Sequence, residues 1–186
     1  MHPVLLFLNS IYPLSSSCID VIEELIREVE IRKRTFLLKA GQVCTNIYFI
    51  HSGLMRSFTK EDDKIICSWF TKEGDIIISI KSFYNQIRSE EYIQAVEDCT
   101  LSYISFADLK KIYKNYLEFN YVGRVLTQKY YQLWDEQLRA LHHPALERYV
   151  WLKQNHPQLL QRVSTEDIAS YLEITREHLQ RIKYKL

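Results

Sequence analysis

Residues 164–183 have the sequence STEDIASYLEITREHLQRIK, which predicts two short helices joined by a tight turn. Ser164 is a favourable N-cap for the first helix, and Asp167 lies three positions later, where a capping box has its acidic partner. Thr175 is a favourable N-cap for the second helix. The turn between the two helices is predicted at Glu173-Ile174.

The two predicted helices each have one apolar face. The apolar positions recur at helical spacing and are Ile168, Ala169, Leu172, Leu179, Ile182 and Leu186. They would pack the second helix on the first and leave a polar face outward. This pattern also fits an ordinary helical hairpin with a solvated charged face, so both interpretations remain open.

The outward face of the second helix carries side chains that suit the edges of DNA bases. Arginine can bond guanine with two hydrogen bonds, and glutamate can accept one from cytosine. A recognition helix contacts bases with its N-terminal turns. The candidate base-reading residues are Arg176, Glu177, Gln180 and Arg181. The candidate phosphate contacts are Ser164, Thr165, Thr175, His178, Lys183 and Lys185.

The segment resembles the helix-turn-helix of the Crp/Fnr family of bacterial transcription regulators. The run Thr175-Arg176-Glu177-x-x-x-Arg181 matches the family's base-reading signature in spacing and residue type. The resemblance implies that Arg176, Glu177 and Arg181 read bases. The position of Glu173 is often glycine in the family. A left-handed backbone there costs a residue with a side chain about 1–2 kcal/mol.

The chain has 186 residues and a net charge of only +1, so no overall basic field indicates nucleic acid. This is a mild argument against DNA binding, although a local basic patch is sufficient. Four basic side chains cluster near the C-terminus: Arg176, Arg181, Lys183 and Lys185. The length allows one large or two small domains.

The region from about Arg34 to Phe106 is predicted to be rich in β-strands. Short apolar runs alternate with turn signals, which is typical of a barrel or a sandwich. The predicted strands lie in residues 46–50, 54–58, 65–70, 76–78, 92–96 and 100–104. Gly41, Gly53 and Gly74 fall at the turns, where a positive φ is expected.

This region resembles the cyclic-nucleotide-binding β-roll that forms the sensor of the Crp/Fnr family. The matching motifs are Leu38-x-x-Gly41, Tyr48-Phe49-Ile50-x-x-Gly53-x-x-Arg56 and Gly74-Asp75. The resemblance implies an α+β protein with an N-terminal double-stranded β-helix (a jelly-roll-like β-roll), a long dimerisation helix and a C-terminal all-α helix-turn-helix domain. The expected domains are residues 1–115 (sensor), 116–142 (dimerisation helix and hinge) and 143–186 (DNA binding).

The effector site departs from the family pattern. Cyclic-nucleotide binders have a Gly-Glu pair after the Gly-Asp turn and an Arg-Ser pair in the following segment. Here the corresponding positions are Ile78-Ser79 and Ser89-Glu90, and Glu90-Glu91 would repel an anion. The candidate effector pocket consists of Ile78, Ser79, Arg88, Ser89, Glu90 and Tyr130. We therefore expect no tight binding of cyclic AMP or cyclic GMP.

Asp108 is predicted to be the N-cap of a short helix. After it, residues 117–141 predict one helix of about 37 Å, at the rise of an α-helix. Its apolar stripe is Phe119, Val122, Leu126, Tyr130, Leu133 and Leu141, and Trp134 and Leu138 add a flanking strip. Two apolar faces indicate packing on the chain's own sensor and on a partner. The resemblance implies that this is the dimer helix. A helix buried wholly in its own domain is the alternative.

The junction His142-His143-Pro144 is predicted to be a hinge, since Pro144 can open a new helix. The short apolar run at residues 4–8 has no basic residue before it, so we expect a first helix rather than a leader. No stretch is long enough to span a membrane.

Cofactor and enzyme signals are weak. The four cysteines (Cys18, Cys44, Cys67 and Cys99) are far apart and predict free thiols, without a disulfide, zinc or iron–sulfur framework. Only His51 lies in the β region, so a cupin-like metal site is not expected. We also find no catalytic triad or phosphate-binding loop. We expect no catalytic residues, no metal and no cofactor.

These patterns predict a cytoplasmic, homodimeric DNA-binding regulator of the Crp/Fnr type. Its implied partners are double-stranded DNA with a near-palindromic operator, a second copy of the chain and RNA polymerase, with no membrane. The alternative is a ligand-sensing or protein-interaction β-roll module that has lost DNA binding.

Overall fold

The computed structural model describes residues 2–62 and 64–185. Leu186, expected to be an apolar position of the last helix, lies outside these ranges. The helices in the described residues are α1 (Pro3–Ile11), α2 (Ser16–Leu25), α3 (Ile80–Asn85), α4 (Phe106–Asn115), α5 (Leu117–Leu141), α6 (Ala145–Asn155), α7 (Leu159–Arg162), α8 (Thr165–Tyr171) and α9 (Arg176–Tyr184). The strands are β1 (Arg27–Ile31), β2 (Phe36–Leu38), β3 (Asn46–Ser52), β4 (Met55–Glu61), β5 (Lys64–Thr71), β6 (Ile76–Ile77), β7 (Tyr92–Ala95) and β8 (Cys99–Ser105).

The strands form two sheets of four, in the orders β1-β8-β3-β6 and β2-β7-β4-β5. The neighbours β1–β8, β3–β8, β3–β6 and β2–β7 are antiparallel. Fully buried side chains from both sheets share one core, for example Ile50 and Leu101 from the first sheet and Met55 and Ile93 from the second. The expected β-roll is therefore present.

The chain divides into two compact units. The first contains Met1–Ser57 and Phe70–Lys129, and the second contains Phe58–Trp69 and Tyr130–Leu186. The division falls within α5 and within the β4–β5 hairpin, whereas the sequence patterns predict a hinge at residues 142–144. The outer part of the hairpin thus belongs to the same unit as α6 to α9.

The strand at residues 27–31 was missed by the sequence patterns. This strand, β1, lies at the edge of its sheet and alternates exposed charged residues with half-buried Val29 and Ile31. Charged side chains are common on edge strands because they discourage pairing with another chain. In sequence they resemble the polar end of a helix, which is why β1 was not predicted.

The cap of α4 also differs from the expectation. Asp108 was predicted to be the N-cap, but the cap is Ser105, whose hydroxyl accepts a hydrogen bond from the Asp108 backbone N–H at 3.1 Å. The Asp108 carboxylate accepts one from the Ser105 hydroxyl at 2.7 Å. The two side chains form a reciprocal cap, with the serine in the N-cap position.

The N-terminal segment forms a helix, as expected, and buries Val4, Leu5 and Leu8. The four cysteines are free and buried, and burial raises the pKa of both Cys18 and Cys99 to about 11. Within the described residues, no helix combines the length and the apolar character needed to cross a bilayer.

Gly53 occupies a turn where a side chain has no room. Its φ is +94°, and an added Cβ would collide with the Asp98 carbonyl oxygen and with Cys99. The turn between β3 and β4 therefore requires glycine, as the sequence pattern indicated.

Candidate functional site

The last two helices begin at the residues that the sequence predicts. The Ser164 hydroxyl accepts a hydrogen bond from the Asp167 N–H at the start of α8, and the Thr175 hydroxyl accepts one from the His178 N–H at the start of α9, each at 3.1 Å. Between them, Glu173 has a φ of +54°, which is left-handed. The turn therefore has the backbone conformation for which glycine is favoured.

Arg148 of α6 forms a hydrogen bond to the turn between α8 and α9. Its Nη1 donates to the Leu172 carbonyl at 2.9 Å, and its Nε donates to the His143 carbonyl at 2.7 Å. One guanidinium thus connects the α8–α9 turn with the segment between α5 and α6. Sequence patterns do not predict this contact, because an arginine in a helix is usually a surface residue.

Helix α9 separates its apolar and polar side chains sharply. Leu179 and Ile182 are 0% and 4% exposed, and they anchor the helix. All four candidate base readers are exposed: Arg176, Glu177, Gln180 and Arg181. The candidate phosphate contacts are exposed or half-buried: Ser164, Thr165, Thr175, His178, Lys183 and Lys185. The structure thus brings the predicted residues together at the surface of α8 and α9.

Arg176 already has a carboxylate partner. Its Nη1 lies 2.5 Å from Glu166 Oε1 on α8, and both side chains are more than half exposed. Exposed ion pairs contribute little free energy, because water and salt screen them. A nucleic-acid base or phosphate can therefore replace Glu166 as the partner at low cost.

Replacing Glu173 by glycine is expected to stabilise the unit that contains α6 to α9 by about 1 kcal/mol, because the left-handed residue loses its steric penalty. The gain is reduced slightly by loss of the half-exposed contact between the Glu173 carboxylate and Arg148, at 3.9 Å. Urea unfolding should show the increase in the free energy of unfolding. Glu173→Ala is the matched control, since it removes the same carboxylate and keeps the Cβ. Equal stability of the two variants would contradict the strain argument.

The β4–β5 hairpin contacts α8 through Ser170. The Ser170 hydroxyl donates to the Ile65 carbonyl at 2.6 Å and accepts from the Cys67 N–H at 2.9 Å. The Cys67 thiol also lies 3.7 Å from the Asp167 carboxylate. The Ser170 hydroxyl therefore satisfies one backbone donor and one backbone acceptor of β5, as the backbone of a neighbouring strand would. A serine in a short helix does not by itself predict such a contact.

The candidate effector segment contains a closed hydrogen-bond network. The hydroxyl of Ser79 donates to Glu91 Oε2 at 2.6 Å and lies 3.0 Å from the hydroxyl of Ser89. Ser79 and Ser89 are 2% and 5% exposed. The network places a carboxylate among the buried polar groups of this segment. Glu91 was not among the predicted pocket residues, although the adjacent Glu90 was.

The remaining predicted pocket residues lie at the surface or in the other unit. Arg88 and Glu90 are exposed, and Glu90 pairs with Lys81 at 3.3 Å. Ile78 is half-buried, and Tyr130 belongs to the second unit. Of the six predicted pocket residues, Ser79 and Ser89 therefore share a buried hydrogen-bond network, whereas Arg88 and Glu90 lie at the surface.

A cavity of about 250 Å³ lies elsewhere in the first unit. Its lining comes from β2, β3, β7 and the loop before β3, and consists of Leu37, Leu38, Gln42, Val43, Cys44, Thr45, Asn46, Tyr48 and Ile93. None of the predicted effector residues contributes to it.

Helix α5 has two different apolar faces. Phe119 and Val122 are 4% and 0% exposed and belong to the core of the first unit, and Leu126 packs against that core. Of the predicted stripe, these three positions face the core of the first unit. Tyr130, Leu133 and Leu141 are half-buried.

A second face of α5 remains at the surface. Tyr131, Trp134 and Leu138 are 67%, 53% and 39% exposed. With Leu141 they follow steps of three, four and three residues, which is the spacing of a coiled-coil seam. We call these four residues the α5 strip. Trp134 and Leu138 were predicted to form a flanking strip, whereas Tyr131 was not predicted to belong to it.

Comparison with known proteins supports one family. Residues 28–116 match the family described as the cyclic nucleotide-binding domain. A comparison with curated protein sequences gave no match.

Solved structures of regulators share the fold over most of the chain. FixK2 from Bradyrhizobium japonicum has a TM-score of 0.72 at 18% identity, covering 87% of this chain and 84% of that one. A protein from Eubacterium rectale assigned to the Crp/Fnr family of transcriptional regulators has a TM-score of 0.74 at 18% identity, covering 94% and 87%. The c-di-GMP-responsive regulator CLP from Xanthomonas campestris has a TM-score of 0.68 at 18% identity, covering 92% and 91%. Residues 28–116 therefore match the cyclic nucleotide-binding domain family, and the chain shares its fold with solved Crp/Fnr-type regulators, as the resemblance found in the sequence implied.

Proposed function

We propose that this protein is a dimeric, DNA-binding transcription regulator of the Crp/Fnr type. The observation that carries the proposal is the exposed face of α9. Arg176, Glu177, Gln180 and Arg181 project from a helix that Leu179 and Ile182 fix in place. Side chains with these functional groups distinguish bases in the major groove, and the fold is the one in which they are expected.

The dimensions of α9 suit this role. Its nine residues form about two and a half turns, and an α-helix with its side chains is about 10–12 Å across. The major groove of B-DNA is about 12 Å wide and admits one helix. Arg176 and Glu177 lie in the first turn, where a recognition helix contacts base edges, and Arg181 lies one turn later.

The remaining polar residues on α8 and α9 suit phosphate contacts. Lys183 and Lys185 are exposed beside α9, and His178 is exposed on it. The caps Ser164 and Thr175 accept hydrogen bonds through their hydroxyl oxygens, which leaves each hydroxyl hydrogen available to a phosphate. Such contacts set the register of the protein on DNA and carry no sequence information themselves.

Dimerisation through the α5 strip would give two copies of α9. Large exposed aromatic residues at coiled-coil spacing are favourable interface anchors, and Trp134 lies at the centre of the strip. Two recognition helices separated by one turn of DNA read a near-palindrome. We therefore assign residues 1–115 to sensing, 116–142 to dimerisation and the hinge, and 143–186 to DNA reading.

Control of DNA reading is proposed to act through the β4–β5 hairpin and Arg148. The hairpin is made of two sensor strands, and its outer part is hydrogen-bonded to α8 through Ser170. Arg148 connects the α8–α9 turn to the predicted hinge. A change in the hairpin or the hinge would therefore alter the position of α8 and α9.

Cyclic AMP and cyclic GMP are not the proposed signals. The Glu91 carboxylate occupies the hydrogen-bonding position beside Ser79 and Ser89, and a second anion brought next to it would be repelled. Calorimetry should detect no binding of either nucleotide at sub-millimolar concentrations. A micromolar dissociation constant for cyclic AMP would contradict this part of the proposal.

Selection from random double-stranded DNA tests the DNA-binding proposal. The wild-type protein should enrich a near-palindromic operator and bind it with an affinity that falls as salt rises, since phosphate contacts release counterions. Failure to enrich any sequence would favour the alternative of a sensing or interaction module without DNA binding.

A further inference from the structure

Two histidines and one glutamate come together on the first sheet. His2 is the N-cap of α1, Glu28 lies on β1 and His51 lies on β3. One ligand atom from each lies within 4.8 Å of the corresponding atoms of the other two. None of the three belongs to the proposed DNA-reading surface or to the candidate effector segment. We propose that they form a binding site for a first-row transition-metal ion, with Zn²⁺ as the natural candidate.

The order of the strands explains why the side chains meet. β8 lies between β1 and β3, and Ser102 of β8 is the direct partner of Glu28. Direct partners in an antiparallel pair have their side chains on the same face. The register of β3 against β8 shifts between Ile50 and Ser52, so His51 lies at an irregularity in the pairing. Such irregularities re-aim a side chain and are frequent next to binding sites.

The polar contacts in the cluster are short. The Nε2 atom of His2 lies 3.1 Å from Glu28 Oε1 and 3.2 Å from Ser102 Oγ. The Nε2 atom of His51 lies 2.5 Å from the same Ser102 oxygen. The rings of His2 and His51 pack edge to face, with centroids 5.4 Å apart. The hydroxyl of Ser102 thus bridges the two imidazoles.

These distances are close to those of a metal-bound set. Zinc binds imidazole nitrogen and carboxylate oxygen at about 2.0–2.2 Å, which places neighbouring ligand atoms of a tetrahedron roughly 3.3 Å apart. The His2–Glu28 contact is already near that separation. The ligand atoms lie at most 4.8 Å apart. Bringing all three to the separation of a tetrahedral site therefore needs a movement of about 1.5 Å or less. Rotation of the 65% exposed Glu28 side chain and of an imidazole ring can supply it.

The donor set selects the class of ion. Two neutral imidazoles and one carboxylate suit Zn²⁺ and its neighbours in the first transition series, whereas Mg²⁺ and Ca²⁺ prefer oxygen ligands. Three protein ligands leave a fourth position for water or for Ser102. The Ser102 hydroxyl contacts the Nε2 atoms of both histidines, so an ion bound there would displace these hydrogen bonds or take the Ser102 oxygen as its fourth ligand.

The cap of α1 limits the affinity. The Val4 N–H donates to His2 Nδ1 at 3.2 Å, which fixes the proton of the neutral ring on Nε2. A metal on Nε2 moves that proton to Nδ1, so the Val4 N–H loses its acceptor. We therefore expect this lost hydrogen bond to weaken binding about tenfold, with the ion joining the start of α1 to β1 and β3.

Titration of the chelator-treated full chain with Co²⁺ tests the site, since tetrahedral Co²⁺ absorbs visible light. The wild-type protein should take up one ion per chain, and Zn²⁺ should displace it. Glu28→Gln and His51→Asn should each weaken binding at least about tenfold. His2→Asn should do the same while keeping a good N-cap.

The double variant His142→Asn/His143→Asn is the matched control, because it removes two exposed histidines elsewhere and should leave Co²⁺ binding unchanged. Glu28→Gln is the most informative variant, since its exposed side chain contributes little to folding. Unchanged binding in Glu28→Gln, loss of binding in the His142/His143 control, or no saturable uptake by wild type would each overturn the proposal.

Discussion

Replacing Arg176 or Arg181 by alanine is expected to lower the affinity for the selected operator by roughly 10- to 100-fold in each case, which corresponds to about 1–3 kcal/mol for a bidentate base contact. Both side chains are exposed, and neither contributes to the apolar anchor of α9. The loss should therefore appear in binding and not in folding. Gel-shift titration against the operator, with circular dichroism to confirm the fold, measures both quantities.

Affinities measured for several DNA sequences distinguish base-specific contacts from non-specific electrostatic attraction to phosphates. Arg176→Ala and Arg181→Ala should relax the preference at particular base pairs, whereas Lys183→Ala should weaken binding to all sequences and reduce the salt slope by about 1. Arg32→Ala is the matched control, since it removes one exposed arginine from the first unit. If Arg32→Ala and Arg176→Ala weaken operator binding equally, Arg176 is not a base reader.

Replacing Trp134 by glutamate is expected to convert the dimer to a monomer and to reduce operator binding more than about 100-fold. Truncation of a central aromatic anchor alone commonly costs 2 kcal/mol or more at an interface. A buried, unpaired carboxylate adds a further penalty. A monomer contacts only one half-site, so the operator loses the second copy of α9. Sedimentation equilibrium and gel-shift titration test the two consequences.

The same helix offers a control for the added charge. Gln132 is exposed on α5 and lies outside the α5 strip, so Gln132→Glu should preserve the dimer. Leu138→Glu should behave like Trp134→Glu. A stable dimer in the Trp134 variant would show that the chain associates through a different surface, and the division of α5 into two faces would lose its functional meaning.

The helix ends could be predicted because their causes are local. Ser164 and Thr175 each accept a backbone hydrogen bond from a residue three positions later, and Glu173 takes its left-handed conformation within the same short segment. The cap of α4 was misassigned by three residues, because Ser105 and Asp108 share the capping interaction and only the backbone direction decides which is the N-cap.

Which apolar face meets which neighbour was harder to predict. The three- and four-residue spacing of α5 identified a helix with two apolar faces, but spacing is the same for a residue in the core and for one in an interface. Val122 proved to be buried in the first unit, whereas Tyr131 is 67% exposed. Only the packing of α5 on the core of the first unit distinguishes the two.

The sequence by itself determined most of the elements and their order, though not the edge strand β1: a β-roll with glycine turns, one long helix, and two capped helices that present Arg176 and Arg181. Hydrophobic periodicity and helix capping depend on residues a few positions apart, so both can be recognised in a single sequence. The tertiary structure decided the contacts between distant segments, which bring His2 to Glu28 and His51, Ser170 to β5, and Glu91 to Ser79. These depend on sheet order and on the pairing register, since a shift of one residue moves a side chain to the opposite face.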